Sequence, residues 1–282
     1  MTAITGDGRL VLTLRDPGWI GTRRLDDFVA DHDHLMHLFI VSPDLDRFWH
    51  LHPDEMTTGT FEQRLPEMPQ GRYEVFADLV HATGVPETVT AQLDMPAVRG
   101  SALSGDDSGF ADARLKARAT SGPDNARLQP SDPTALLPDG SRMVWVRDAQ
   151  PLFTKRLTMF TFRVEDAAGQ PARDLELYMG MPGHAIFVRH DRGVFAHVHP
   201  SGSAPMAAIA MGQRSLSGAP ASTQPTHVAD DVHGPHAMSH TAGLPATVSF
   251  PYGFPELGMY RIFVQVKRAG RIDTGVFDVH VE

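Results

Sequence analysis

The sequence predicts an all-β protein made of two tandem antiparallel β-sandwich modules related by internal duplication. Three observations lead there. Short segments rich in β-branched and aromatic residues alternate with Gly, Pro, Asp and Asn clusters, as strands alternate with turns. No long segment carries a 3.6-residue apolar period. And one histidine spacing, H-x12-H-x-H-P, occurs twice: "HLFIVSPDLDRFWHLHP" at 37–53 and "HAIFVRHDRGVFAHVHP" at 184–200.

The strand segments are "LMHLFIVS", "RYEVFADLV", "RMVWVR", "LTMFTFRVE", "YRIFVQV" and "TGVFDVHV"; "GFADARLKARATS" (109–121) is the one helix candidate. Superposing the histidine motifs sets His37 on His184, an offset of 147 positions. The same offset puts Asp27 on Asp174, His32 on Met179 and His34 on Met181. Upstream, "LTLRDP" (12–17) parallels "TFRVED" (161–166). Downstream, "PQGRYEVFADL" (69–79) matches "ELGMYRIFVQV" (256–266), with Tyr73 on Tyr260 and an offset of 187. The second copy therefore carries extra residues after its HxHP motif. These limits give a first module at 1–97, a linker rich in Gly, Ser, Asp and Pro at 98–140, and a second module at 141–282 with an insertion at 201–245. The insertion's composition suggests a loop, yet it collects His233, His236, Met238 and His240.

Composition excludes several functions. The chain of 282 residues is 41% hydrophobic and 21% charged, with a formal net charge of −9 and no Lys/Arg run. Such a surface suits neither nucleic acid nor an anionic membrane. With no cysteine, disulfides, zinc–thiolate sites, iron–sulfur clusters, thiol catalysis and a blue-copper centre are all ruled out. No apolar run approaches the ~20 residues of a membrane span, and "MTAITGDGRLVLTLRDP" lacks the pattern of a signal peptide.

The histidine spacing has a geometric meaning. In a strand, residues two apart share a face, so His50 pairs with His52 and His197 with His199. "PDLD" reads as a four-residue turn pairing Ser42 with Arg47. Counting back sets Phe39 opposite His50 and His37 opposite His52. In the second copy Arg189 pairs with Val194, and His184 opposes His199. Opposed side chains share a face, so each hairpin gathers three imidazoles. Pro53 and Pro200 end the ladders, which places the clusters at a strand end near a rim.

Neutral imidazole is a common metal ligand, and three on a rigid hairpin suit copper, zinc or nickel. The metal candidates are His37, His50, His52, His184, His197 and His199, with His32, His34, Met179, Met181, His233, His236, Met238 and His240 as further ligands. Thioether sulfur favours Cu(I) over zinc, so exchange of His32 and His34 for Met179 and Met181 points to copper as Cu(I) or Cu(II), with zinc as the alternative. Asp27 and Asp174 read as turn residues, and His81, His190 and His280 as surface residues.

The segments 36–53, 178–200 ("YMGMPGHAIFVRHDRGVFAHVHP") and 248–278 ("VSFPYGFPELGMYRIFVQVKRAGRIDTGVFD") resemble those of a bacterial family with repeated H-x12-H-x-H-P motifs. The resemblance covers both modules and implies Ig-like or cupredoxin-like sandwiches, often exported to the periplasm and found in copper or heavy-metal contexts. It implies no enzymatic activity. The function expected is metal binding for buffering, delivery or resistance, with the metal ion and another metal-handling protein as partners. One alternative is a structural or interaction sandwich whose histidines only pack. The other is a cupin-like metalloenzyme, for which Glu55 stands too close to the first HxH and "SGSAP" after the second offers no acid.

Overall fold

The computed structural model describes residues 1–6, 8–15, 24–111, 133–148, 150–217 and 243–282. The chain divides into two compact units, Met1–Asn125 with Pro205–Ala208, and Ala126–Ala204 with Ile209–Glu282. As the patterning predicts, the described residues are mostly antiparallel strand.

The first unit contains β1 (Thr2–Gly6), β2 (Arg9–Thr13), β3 (His37–Val41), β4 (Arg47–Leu51), β5 (Asp54–Thr57), β6 (Thr60–Arg64), β7 (Gly71–Val80), β8 (Pro86–Met95) and β9 (Ser108–Ala111). They form two sheets, ordered β1-β2-β6-β5 and β8-β7-β3-β4-β9. Leu10, Leu12 and Phe61 of one sheet meet Leu38, Ile40, Trp49, Leu51, Tyr73 and Val75 of the other in a single apolar core. Strand alternation then decides where the histidines go. Leu38 and Ile40 enter the core, so His37 and Phe39 stand on the sheet's other face. That face is buried too: β3 is buried along its whole length.

The second unit contains β10 (Thr134–Leu136), β11 (Arg142–Val146), β12 (Thr158–Glu165), β13 (Leu175–Glu176), β14 (His184–Arg189), β15 (Phe195–Val198), β16 (Thr247–Tyr252), β17 (Gly258–Arg268) and β18 (Arg271–Val281). One sheet is ordered β10-β11-β12-β16; the other runs β13-β17-β14-β15, with β18 on β17. Its core joins Phe160, Phe162 and Phe250 to Phe187, Val198, Ile262 and Val264. Helix α1 (Met206–Ser217) follows β15, in a segment whose composition suggests loop. Similarly, β9 and β10 fall within 98–140, and Gly109–Ala111 of the helix candidate is strand.

The strand orders of the two units match. The histidine-bearing sheets share β8-β7-β3-β4 and β18-β17-β14-β15, and the opposite sheets share β1-β2-β6 and β11-β12-β16. Smaller features match as well. Tyr73 and Tyr260 each donate their hydroxyl to the carbonyl four residues upstream, Pro69 and Glu256, both at 2.7 Å. Phe28 bridges to His81 as Leu175 pairs with Arg268. Asp27 bonds His81 Nδ1 at 2.8 Å, and Asp174 takes a two-pronged bond from Arg268 at 3.0 Å. These acids are thus more than turn residues: each ties the segment before the first histidine to the end of a long strand, at His81 just past β7 or at Arg268, the last residue of β17. His81, expected at the surface, is buried because Asp27 and Glu87 hold both ring nitrogens. His190 bonds Asp278 at 3.3 Å, while His280 is exposed as expected.

Candidate metal centres

The hairpin registers are those that the turn lengths predict. Phe39 opposes His50 and Leu38 opposes Leu51, so the next pair along is His37 with His52. Ser42 N–H closes the turn on the Arg47 carbonyl at 3.0 Å. The turn is fixed by Asp44, which accepts from Ser42 Oγ at 2.6 Å, and by Leu45 in the left-handed region at φ 57°. In the second unit Ala185 opposes Val198, which carries His184 to His199. Arg189 N–H bonds the Val194 carbonyl at 2.9 Å, and Arg192 takes the left-handed position at φ 64°.

The three imidazoles of each hairpin converge in nearly the same way. In the first unit the ring centroids lie 5.4 Å apart for His37–His50, 5.1 Å for His37–His52 and 4.6 Å for His50–His52. In the second they lie 5.3 Å apart for His184–His197, 5.0 Å for His184–His199 and 4.5 Å for His197–His199. The clusters are buried rather than set at an open rim: His37, His50, His184, His197 and His199 are all buried, and the His52 side chain is 3% exposed. Counting along strands could place the histidines at a strand end, but not reveal what covers that end. In the first unit the cover includes His34, stacked on His52 with centroids 4.0 Å apart, and Asp107.

Hydrogen bonds assign the tautomers of the first cluster. His37 Nε2 lies 3.0 Å from the Asp31 carbonyl, which can only accept, so Nε2 carries the proton and Nδ1 a lone pair. That Nδ1 faces His50 Nε2 at 3.1 Å. Asp107 Oδ1 accepts from both His52 N–H, at 2.9 Å, and His52 Nδ1–H, at 3.1 Å. The His52 lone pair therefore sits on Nε2, which is buried and has no hydrogen-bond partner. Asp107 is itself held by Gln63 Nε2 at 2.9 Å. A carboxylate behind a histidine whose other nitrogen points inward is the usual support of a metal-ligating imidazole. One nitrogen from each of His37, His50 and His52 lies within 4.8 Å of the others. Tetrahedral ligands at metal–nitrogen bonds near 2 Å stand about 3.3 Å apart, so the rings would have to draw together for all three to meet one ion.

Electrostatics favour the ligating form. Burial and the neighbouring rings of His52, His50 and His32 hold His37 well below the ordinary histidine range. Burial also lowers His52, against the opposing pull of Asp107. Both rings are thus neutral at pH 7, as metal ligation requires.

The upstream candidates occupy matching turns. Asp31 bridges to His34 as Tyr178 bridges to Met181. His32 and Asp33 take the left-handed conformation, as do Met179 and Gly180. The His34 ring lies 5.9 Å from that of His37 and the His32 ring 6.0 Å, and His34 Nε2 lies 3.5 Å from Asp106 Oδ2. In the second unit Tyr178 packs edge-on against His184 at 5.1 Å. His233, His236, Met238 and His240 lie outside the described residues. Sequence reasoning missed Asp106 and Asp107, since "SGDDSG" has linker composition; pairing of β9 with β4 is what returns that segment to the histidines.

A family model described as a domain of unknown function (DUF8832) matches residues 138–282, a little over half of the chain. No curated protein matches the chain.

Proposed function

The chain belongs to the family of the domain of unknown function DUF8832, and we propose that it is a metal-binding protein with one histidine centre in each unit, acting in copper buffering, delivery or resistance. Convergence of three buried imidazoles, with centroid distances that agree between the units to about a tenth of an ångström, is the observation that carries this reading. His37, His50 and His52 would hold the ion in the first unit; His184, His197 and His199 would hold it in the second. A bound ion would supply a positive charge for the inward lone pair of His52, which otherwise has only desolvation to bear.

Copper is favoured over zinc because the chain carries His32 and His34 in one turn and Met179 and Met181 in the matching one. Copper is the metal for which imidazole and thioether versions of a site both make chemical sense. The shared strand order, turns and tyrosine hydrogen bonds support an origin of both units in one duplicated Ig-like or cupredoxin-like module. The test is titration of the full chain with copper, beside a variant with His50, His52, His197 and His199 changed to alanine. The wild-type chain should bind two ions tightly and the variant none; equal binding would defeat the proposal.

A further inference from the structure

The two centres differ in one consistent direction. Around the first triad stand carboxylates. Asp107 holds His52, and Asp106 faces His34. Asp78 is the cross-strand neighbour of His37, and Asp31 begins the turn that carries His32 and His34. At the matching positions among the described residues of the second unit, other groups stand in their place. Gln265 is the cross-strand neighbour of His184, and Tyr178 begins the turn. His199 N–H, the counterpart of the His52 N–H that meets Asp107, donates instead to the Gly202 carbonyl at 2.8 Å. The two imidazoles of the first turn are replaced by two thioethers, Met179 and Met181.

Among these matched positions each exchange takes away a carboxylate or an imidazole and puts an amide, a phenol, a backbone carbonyl or a thioether in its place. The cost of burying an ion rises steeply with its charge unless carboxylates compensate it. Thioethers select Cu(I), whereas imidazole and carboxylate suit divalent ions. Building on the metal-binding reading above, we propose that the centres divide metals by charge. The first unit takes a divalent cation, Cu(II) or Zn(II), on His37, His50 and His52. The second takes the monovalent, thiophilic Cu(I) on His184, His197 and His199 with sulfur from the Met179–Met181 turn.

Zn(II) and Ag(I), an air-stable probe for Cu(I), separate the two classes in the full-length chain. Isothermal titration should find one Zn(II) site and one Ag(I) site, each filled without displacing the other ion. The Met179→Leu/Met181→Leu variant keeps the volume of these half-buried side chains and removes their sulfur. It should lose at least ~10-fold in Ag(I) affinity while Zn(II) binding stays within about twofold. Asp107→Asn keeps an oxygen to accept from His52 and removes the charge, and should lose ~10–100-fold in Zn(II) affinity with Ag(I) binding unchanged. Urea midpoints checked beside these titrations identify any variant that is misfolded, and the other variant then decides. Zn(II) and Ag(I) competing for the same sites, or either folded variant weakening both ions alike, would overturn the division. Binding of two Zn(II) with no Ag(I) preference would overturn it while leaving the metal-binding reading standing. Failure of the wild-type chain to bind either ion would overturn both.

Discussion

Asp107 offers the sharpest test of how the first centre is held. Its side chain accepts three hydrogen bonds: from His52 N–H at 2.9 Å, from His52 Nδ1–H at 3.1 Å and from Gln63 Nε2 at 2.9 Å. Changing Asp107 to alanine strips all three donors of their acceptor. A buried donor left unpaired costs about 1–3 kcal/mol. The Asp107 side chain is 18% exposed, so water can replace part of the loss, and the three effects are not additive. The expected destabilisation of the metal-free protein is about 2–4 kcal/mol. With a urea m-value of about 2 kcal/mol/M, the midpoint of the transition that includes Trp49 fluorescence should fall by roughly 1–2 M. Asp107→Asn retains the acceptor and should cost only about 1 kcal/mol. An alanine variant within about 0.5 kcal/mol of wild type, or an asparagine variant as damaged as the alanine one, would refute the role given to this carboxylate.

Stability of the metal-free protein should depend on pH in two opposed ways. His37 and His52 are depressed by burial, so the unfolded chain binds their protons first. Their contribution is complete above about pH 6.5 and is lost as pH falls toward the folded values, by up to about 1.4 kcal/mol per pH unit for each ring. His81 runs the other way: burial opposes its charge, but Asp27 and Glu87 outweigh burial and raise it. Its contribution is present below about pH 6.5 and lost as pH rises through the raised value, so His81→Gln should flatten that side of a urea-midpoint profile. Tyr73→Phe and Tyr260→Phe each remove one hydroxyl-to-carbonyl bond and should each cost about 1 kcal/mol by urea unfolding, with little effect on metal affinity. In Gly183→Ala the new methyl would stand 2.5 Å from the Gln265 carbonyl oxygen. Because β17 pairs with His184 there, the variant should lose about 1–3 kcal/mol of stability and weaken the second centre without touching the first.

Much of the site was legible in the sequence because strand geometry is nearly deterministic over short spans. A four-residue turn fixes the register, and the period of two then fixes which side chains share a face. That reasoning reaches from "PDLD" to the pairing of Phe39 with His50 and from "HDRG" to the pairing of Ala185 with Val198. What it could not reach are contacts closed by distant segments. Asp107 reaches His52 across 55 positions, and His81 reaches Asp27 across 54. Local composition marked one as linker and the other as a lone surface histidine. Burial of the triads was illegible for the same reason, since alternation tells which face a histidine shares but not what lies over that face. The turn exchange of His32 and His34 for Met179 and Met181 was visible by alignment alone. Only the structure adds that both turns take the same left-handed conformation.

The most direct test of the metal-binding account is copper K-edge absorption on the full chain loaded with substoichiometric Cu(II). The account predicts imidazole nitrogens at about 2 Å with the outer-shell scattering of histidine rings, and loss of that pattern when His37, His50, His52, His184, His197 and His199 are all changed to glutamine in a folded variant. A spectrum fitted by oxygen ligands alone, or one unchanged in that variant, would contradict it.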